Sequence, residues 1–416
     1  MKKVIFAALL LCAAAGAEAK KSVGTVKAKY AVEAVAASQQ RGWAVVGDLP
    51  EGVKGATVYV DGREVPSQLD DLDGDGRYDE LVFGVEFAGA AEVEAVVEYS
   101  AEAVEHDYPA LVNAQMWWKN PDKTLTEAQT LESDKDDMYH KLHHHGPAFE
   151  SEYAAYRVYF DKKQSIDTYG KKRPSLELRE TMWYPSDEQL EAGYGHDNLR
   201  VFGTISVGAL KGWNAAKGRM DHITDMSCRR ATVRAKGPLR TVVDMYVKGW
   251  KYCGREIDMN SRYILYGGGD VVKVENSITG EGVDSLEFVT GVMKMQQGVF
   301  CQMEDGRNTL LATVGRDFPE NDTLKWERET TGLAVCLPSE QVAGRADDAT
   351  SYMCKLRPVD GRIDYMFWMK WKKSEFEEDN IDENNTPAHN LAIMARPLCD
   401  GTLGGPLTQT RVRRTE

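Results

Sequence analysis

The chain has 416 residues, 42% of them apolar and 28% charged, and its 65 acidic against 51 basic residues leave a formal net charge of -14. A chain of this length buries a sizeable core and has room for two or three units, while its acidity excludes nucleic acid and anionic membrane as general partners, because both require an extended basic face. A local basic pocket stays open.

In chain order, residues 1–19 read as a secretory signal peptide: a basic Met1-Lys2-Lys3 start, an apolar run from Val4 to Gly16 and the small-x-small sequence Ala17-Glu18-Ala19. The mature protein is expected to start near Lys20 and to be secreted or periplasmic. Leu9-Leu10-Leu11-Cys12 loosely resembles a lipidation box, so an anchor at Cys12 is the alternative, although Leu11 stands where a small residue is wanted. The apolar run falls short of the roughly 20 residues needed to span a bilayer, and no later stretch approaches that length.

After the leader, period-two alternation dominates. Arg41-Gly-Trp-Ala-Val-Val, Ala56-Thr-Val-Tyr-Val, Glu92-Val-Glu-Ala-Val-Val-Glu-Tyr, Arg240-Thr-Val-Val-Asp-Met-Tyr-Val-Lys and Tyr365-Met-Phe-Trp-Met-Lys-Trp all read as strands bounded by turn residues. Helical signals are short, the clearest being Ser186-Asp-Glu-Gln-Leu-Glu-Ala-Gly, with a serine N-cap and a closing glycine. The predicted organisation is a small N-terminal β module over 20–110, an acidic connector over 111–139 and a large β-sandwich domain over 140–416 carrying the candidate site. The polar, basic tail from Thr408 is expected to fray. Six cysteines follow the leader (Cys228, Cys253, Cys301, Cys336, Cys354 and Cys399), widely spaced and without a CxxC pair, which argues against a zinc ribbon and leaves disulfides and buried thiols both open.

Three stretches point to chemistry. In the first, Asp71, Asp73, Asp75 and Asp79 fall at relative positions 1, 3, 5 and 9 with Gly76 at 6, a spacing that gathers carboxylate oxygens on a tight turn and suits a structural Ca2+ ion. Val82 replaces the glutamate an EF-hand would need, and the alternative is an Asp/Gly hairpin turn that solvates itself. In the second, His143-His144-His145 precedes a strand whose alternation puts Ala154, Tyr156, Val158 and Phe160 on a core face and Tyr153, Arg157, Tyr159 and Asp161 on the other. A guanidinium, phenols and a carboxylate side by side can hold an anionic sugar and move a proton. Neighbours in an extended chain point oppositely, so the three histidines cannot ligate one metal without a turn, and a solvated cluster is the plain alternative.

The third is a second polar face, with Arg240, Asp244, Tyr246, Lys248 and Trp250 on one side of a strand and Thr241, Val243, Met245 and Val247 on the other. Tryptophans at 117, 118, 183, 213, 326, 368 and 371 suit either sugar stacking or ordinary sheet packing. No GxSxG elbow, HExxH helix, P-loop or dinucleotide fingerprint occurs, so no nucleotide cofactor is expected.

The runs PSQLDDLDGDGRYDELVF, HHHGPAFESEYAAYRVYFDKKQSIDTYGK, LELRETMWYPSDEQLEAGYGHDNLRVFG and GPLRTVVDMYVKGW resemble the exported bacterial family known as domain of unknown function 4861, over about Val45 to Trp371. The resemblance implies a mostly β fold, an antiparallel β-sandwich of the supersandwich, galactose-mutarotase-like kind with a small N-terminal β module, in a protein that accompanies polysaccharide degradation. It also implies an acidic oligosaccharide substrate, with β-elimination or dehydration beside a uronate carboxylate. The chemistry of that reaction then assigns roles. Arg157 would neutralise the carboxylate, His145 or His196 would take the proton, and Tyr159 would serve as acid. His144, Glu150, Glu152, Asp161, Lys171, Trp183 and Asp197 fall in the matching stretches as substrate contacts. A hydrolase pairing Glu150 or Glu152 with Asp161 or Asp197, and a non-catalytic glycan-binding protein, are the alternatives.

Overall fold

The computed structural model describes residues 25–35, 39–399 and 410–416. The expected leader, its cleavage sequence and Cys12 lie outside them. The chain is mostly β and its sheets are antiparallel, as the alternation predicts.

The N-terminal module pairs a five-stranded sheet with a three-stranded one. The first runs in the order Arg411–Arg414, Val26–Glu33, Glu92–Ser100, Gly55–Val60, Arg63–Val65, and the second Arg41–Val46, Glu80–Glu86, Ser67–Asp70. Val32, Val58, Leu81, Phe83 and Val97 fill the space between them. The tail thus departs from the expected fraying: Tyr30 pairs with Arg414 and Glu33 with Arg411, so the C-terminus supplies an edge strand to the module at the opposite end of the sequence.

In the large domain one nine-stranded sheet is covered by two five-stranded ones. The large sheet runs Thr130–Ser133, Cys228–Lys236, Arg240–Tyr252, Arg255–Tyr266, Val272–Thr279, Arg362–Trp371, Glu329–Pro338, Asn308–Asp317, Val299–Glu304. Opposite lie His196–Asp197, Ile166–Gly170, Ala154–Val158, Ala148–Ser151, Val112–Gln115, and, separately, Arg219–Asp221, Lys211–Asn214, Phe288–Met293, Ser351–Leu356, Val342–Arg345. Val243, Met245, Tyr263, Val274 and Phe367 from the large sheet meet Phe149, Tyr156, Ile166, Phe288 and Val292 in one apolar layer, which makes the domain a β-sandwich.

The stretch predicted as a connector is part of this sandwich. Val112–Gln115 is buried throughout and pairs with Ala148–Ser151, and Thr130–Ser133 joins the large sheet. A strand buried on both faces has no reason to alternate, so periodicity does not reveal it. The alternation along Arg240–Tyr252 also slips. A bulge between Val247 and Trp250, with Gly249 at φ 62°, carries Trp250 into the core beside Val243 and Met245. Of the rest of that polar face, Arg240 docks the N-terminal module, whereas Asp244 pairs with Arg234 and Arg262 and Tyr246 donates to Asp258 within the large sheet. Arg240 Nε donates to Asp70 at 2.8 Å and its Nη2 to Glu80 at 2.5 Å, while the Gln68 side chain accepts from Leu239 and Arg240 backbone N–H groups.

The short helix after Ser186 forms as expected over Asp187–Glu191, closed by reciprocal hydrogen bonds between Ser186 and Gln189. A longer helix, Pro387–Cys399, lies on the outer face of the large sheet, where Ile393 and Met394 pack with Ala334 and Trp368. Five cysteines are free among the described residues, with Cys336 and Cys354 buried as apolar side chains. No described helix is long and apolar enough to cross a membrane.

Candidate active site

Arg157 lies in the middle of Ala154–Val158, directly opposite Asp167 on the neighbouring strand. Its Nε and Nη2 donate to Asp167 Oδ2 at 3.1 and 2.7 Å, Nη2 reaches Asp197 Oδ2 at 3.2 Å, and Nη1 donates to the Tyr184 hydroxyl at 2.9 Å. The guanidinium also lies 4.3 Å from the Trp183 ring centroid, and Trp183 Nε1 donates to Asp197 Oδ2 at 3.1 Å. Burial opposes the charge on Arg157, yet Asp167, the two phenols and Asp197 outweigh it and hold the group protonated. Asp197 is pushed well up by burial and by Asp167 next to it, against the pull of Arg157.

Local backbone geometry brings the remaining groups to this centre. The one-turn helix Leu178–Thr181 ends in two successive left-handed residues, Met182 at φ 50° and Trp183 at φ 74°. The reversal leaves Trp183 fully buried and Tyr184 41% exposed. His145 is left-handed too, at φ 64°, and Gly146 follows it so tightly that a Cβ there would sit 1.7 Å from the Val158 carbonyl oxygen. Only glycine lets the histidine loop rest on the Arg157 strand in this way.

The result is a line of hydrogen bonds from the buried cation to the surface. Tyr184 Oη accepts from Arg157 and lies 3.1 Å from His145 Nε2, while His145 Nδ1 lies 3.3 Å from the Tyr139 carbonyl oxygen. A carbonyl only accepts, so Nδ1 carries the hydrogen, and Nε2 is left to accept the Tyr184 hydroxyl proton. Burial and then the charge of Arg157 lower the His145 pKa to about 4, which keeps the imidazole neutral and able to accept a proton at ordinary pH, as a weaker base than a free histidine. Tyr159 stacks on His145, rings 5.5 Å apart and 9° from parallel, and donates to Asp167 at 3.1 Å. Burial and Asp167 push its phenol up. Burial also raises Tyr184, with Arg157 pulling the other way.

The structure therefore gathers His145, Arg157, Tyr159, Trp183 and Asp197 and adds Tyr184, Tyr139 and Asp167. Tyr184 stood in the sequence only as one of many aromatics, and its sole signal was its place beside Trp183. Other expected residues stand elsewhere. His144 is buried with Nε2 against the Gln115 amide, and burial drives its pKa well down, so it works as a neutral core residue. Glu150 accepts from Lys171 at 2.6 Å and from the Glu177 and Leu178 N–H groups at the start of the one-turn helix, which leaves both Glu150 and Lys171 as packing partners in place of the expected sugar contacts. Glu152 accepts from Gly268 N–H, and Asp161 closes a turn by accepting from Lys163 and Gln164.

His196 follows the same rule of alternation that splits the histidine run. Asp197 points to Arg157, whereas His196 turns to the opposite side, between Trp326 and Trp371, with Nε2 3.7 Å from Glu329. The two expected proton acceptors are thus on different sides, and only His145 reaches the cluster. The three neighbouring imidazoles also take separate partners, His143 the Met182 carbonyl, His144 Gln115 and His145 Tyr184, so they form no common cage.

Among the described residues, Asp71, Asp73 and Asp79 form the group spaced for a metal, with one oxygen of each within 4.8 Å of the others. Asp75 is not part of it and accepts from Arg77 N–H. Three close carboxylates fit a hard cation, although Asp71 and Asp79 already accept from loop N–H groups.

The fold and the cluster define an antiparallel β-sandwich protein with a buried arginine wired through a tyrosine to a neutral histidine at its surface. The family described as "Domain of unknown function (DUF4861)" matches residues 44–383, and the chain belongs to it. No curated protein matches the chain significantly. Among solved structures it is similar to a glycosyl hydrolase family 38 protein from Enterococcus faecalis at 7% identity and a TM-score of 0.37, over 94% of this chain and 47% of the other. It is also similar to an α-mannosidase from Enterococcus faecalis V583, at 8% identity and 0.37, over 94% and 46%. The chain spans about half the length of either.

Proposed function

We propose that this protein acts on uronic-acid-containing oligosaccharides, removing a C–O bond beside the uronate carboxylate by β-elimination or dehydration. What carries the reading is the hydrogen-bonded line Arg157, Tyr184, His145, which ends in an exposed phenol. Tyr184 relays the proton: its oxygen takes the proton on the carbon bearing the carboxylate as its own proton passes to neutral His145. Arg157 offsets the negative charge that develops on the phenol oxygen, so that no free phenolate forms. The electron pair forms the new C=C bond, the neighbouring C–O bond breaks, and the departing oxygen recovers a proton from Tyr184 or His145. Lost water would be dehydration and a lost sugar alcohol would be elimination.

In this scheme the role first expected of Arg157 changes. Its fork is occupied by Asp167, Asp197 and Tyr184, and it is only 3% exposed, so it tunes Tyr184 rather than clamping the substrate. Lys163, with Nζ 5.0 Å from the Tyr159 ring centroid, 5.7 Å from that of Tyr139 and 3.5 Å from Asp161, is the less buried cation of the cluster and the one that would turn to the substrate carboxylate. The paired-carboxylate route is less favoured, because Glu150, Asp161 and Asp197 are at most 6% exposed and already hydrogen bonded. A calcium ion at Asp71, Asp73 and Asp79 belongs to the proposal as a structural element, and the leader-like residues 1–19 fit a protein that meets its glycan outside the cytoplasm.

The test is incubation with a panel of uronate oligosaccharides, following the ultraviolet absorbance of a conjugated unsaturated uronate together with product masses. New absorbance that vanishes in Tyr184→Phe supports the reading. Reducing ends without absorbance would point to hydrolysis, and binding without any product would point to glycan capture.

A further inference from the structure

A second feature lies outside this cluster. A cleft of about 1250 Å³ opens beside the hairpin Lys211–Asn214 and Arg219–Asp221, bordered by the half-buried Trp213 ring, His222, Lys217 and Arg219. Trp250 and Tyr252, stacked with centroids 4.7 Å apart, back it from the core, and Tyr252 Oη accepts from the Trp213 N–H at 2.7 Å, so the base of the hairpin is tied to the sandwich.

The cleft's acidic groups are engaged and its Lys251 pairs with Asp225, while two further cations are not engaged. Asp221 accepts from Asn214 at 3.0 Å, Asp348 from Thr350 and Ser351, and Glu287 pairs with Lys355 and Arg357. Lys217 and Arg219 are exposed, and among the described residues neither side chain has an ion pair or hydrogen bond. His222 contributes a buried Nδ1 with no partner. An aromatic ring beside unpaired cations and an unpaired ring nitrogen is the donor set for a pyranose carrying a negative group: the sugar face stacks, and the carboxylate or sulfate meets the cations.

The position of the cleft extends this. Gly203 lines it, and the adjacent Phe202 carbonyl accepts from Lys163 Nζ at 3.2 Å, the same ammonium that lies over Tyr159. Ile223 N–H, next to His222, donates to the Lys162 carbonyl at 2.9 Å. The Lys162–Lys163 segment is therefore hydrogen bonded to residues beside the cleft and, through Lys163, lies against the Tyr184 cluster.

We propose that this cleft is a binding subsite for an anionic oligosaccharide, holding sugar units of a chain by Trp213, Lys217, Arg219 and His222. The subsite stands on its own residues; its service to the neighbouring cluster rests on the function proposed above.

Calorimetric titration of the full chain with three oligosaccharides of equal length tests it: oligogalacturonate as the uronate, a carrageenan oligomer as the sulfate ester and a cello-oligomer as the neutral control. Anionic probes are expected to bind and the neutral one not, with affinity falling as salt rises. The Lys217→Ala/Arg219→Ala variant, changed only at exposed positions, should lose about tenfold in affinity, and Tyr184→Phe should bind like the wild type. Preference for one anionic probe decides between carboxylate and sulfate recognition. Equal binding of the neutral oligomer, unchanged affinity in the double variant, or no binding of either anion would each overturn the subsite. Product formation lost in Tyr184→Phe, alongside unchanged binding in the double variant, would sink the cleft and keep the enzyme; the reverse pattern would keep the cleft alone.

Discussion

Replacing Arg157 with methionine isolates the electrostatics of the cluster. Methionine fills much of the same space but removes three hydrogen bonds to carboxylates, at 3.1 and 2.7 Å to Asp167 and 3.2 Å to Asp197, together with those to the Tyr184 and Tyr159 hydroxyls, and strands two carboxylates that are 1% and 6% exposed. Breaking a buried pair by removing one partner costs about 3–5 kcal/mol, because the surviving charges stay desolvated. The loss should depend on pH. Asp197 already has a raised pKa from burial and from Asp167, and Arg157 is the largest influence pulling it down, so its removal raises that pKa further. A group raised in the folded state favours folding fully below its unfolded pKa, about 3.9, and loses that contribution as pH climbs through the folded value. The deficit of the variant is therefore smallest near about pH 4 and grows toward about pH 8, by about 1.4 kcal/mol for each unit of extra elevation. Urea unfolding followed by tryptophan fluorescence at both ends of that range measures it, and Arg157→Met/Asp197→Asn should recover part of the loss. A deficit below about 1 kcal/mol, or one equal at both pH values, would refute the account of Arg157 as the neutraliser of this buried pair.

Tyr184→Phe removes the hydroxyl joining Arg157 to His145 at an exposed position, so turnover of a uronate substrate should fall by about 10²–10⁴-fold with little change in unfolding midpoint. Because burial and Arg157 lower the His145 pKa to about 4, the base is deprotonated above that value: activity should hold across neutral and mildly acidic pH and fall only as pH drops through about 4, whereas a limb near about 6.5 in the pH profile would contradict the assignment. Gly146→Ala would force its Cβ into the Val158 carbonyl, which lies at 1.7 Å from the ideal position, and should cost about 1–3 kcal/mol or more in unfolding measurements while displacing His145. If Asp71, Asp73 and Asp79 hold calcium, adding the ion after chelation raises the thermal midpoint of the wild type and leaves Asp73→Asn unmoved; equal midpoints with and without calcium would remove the ion from the account.

Much of the architecture is legible in the sequence because period-two alternation is a local property. A strand with one wet face writes its burial into successive residues, and the strands at Gly55–Val60 and Glu92–Ser100 do so. The capping box after Ser186 is local in the same sense. Val112–Gln115, buried on both faces, carries no such pattern, and the C-terminal strand Arg411–Arg414 gains its place only through a partner at the other end of the chain.

The candidate site divides along the same line. By itself the sequence determined that Arg157, Tyr159 and the histidine run lie close together and that adjacent histidines diverge, since both follow from spacing and extended geometry. Only the tertiary structure decided that His145 joins the cluster while His144 sinks into the core, that Glu150 and Lys171 spend their charges on each other, and that His196 faces away from its neighbour Asp197. It also brought in Asp167 and Tyr184, the one by strand register and the other by two left-handed residues after a one-turn helix. The physical reason is that charge and proton transfer act over a few ångströms of space, whereas the sequence orders residues along a chain whose turns and pairings set those distances.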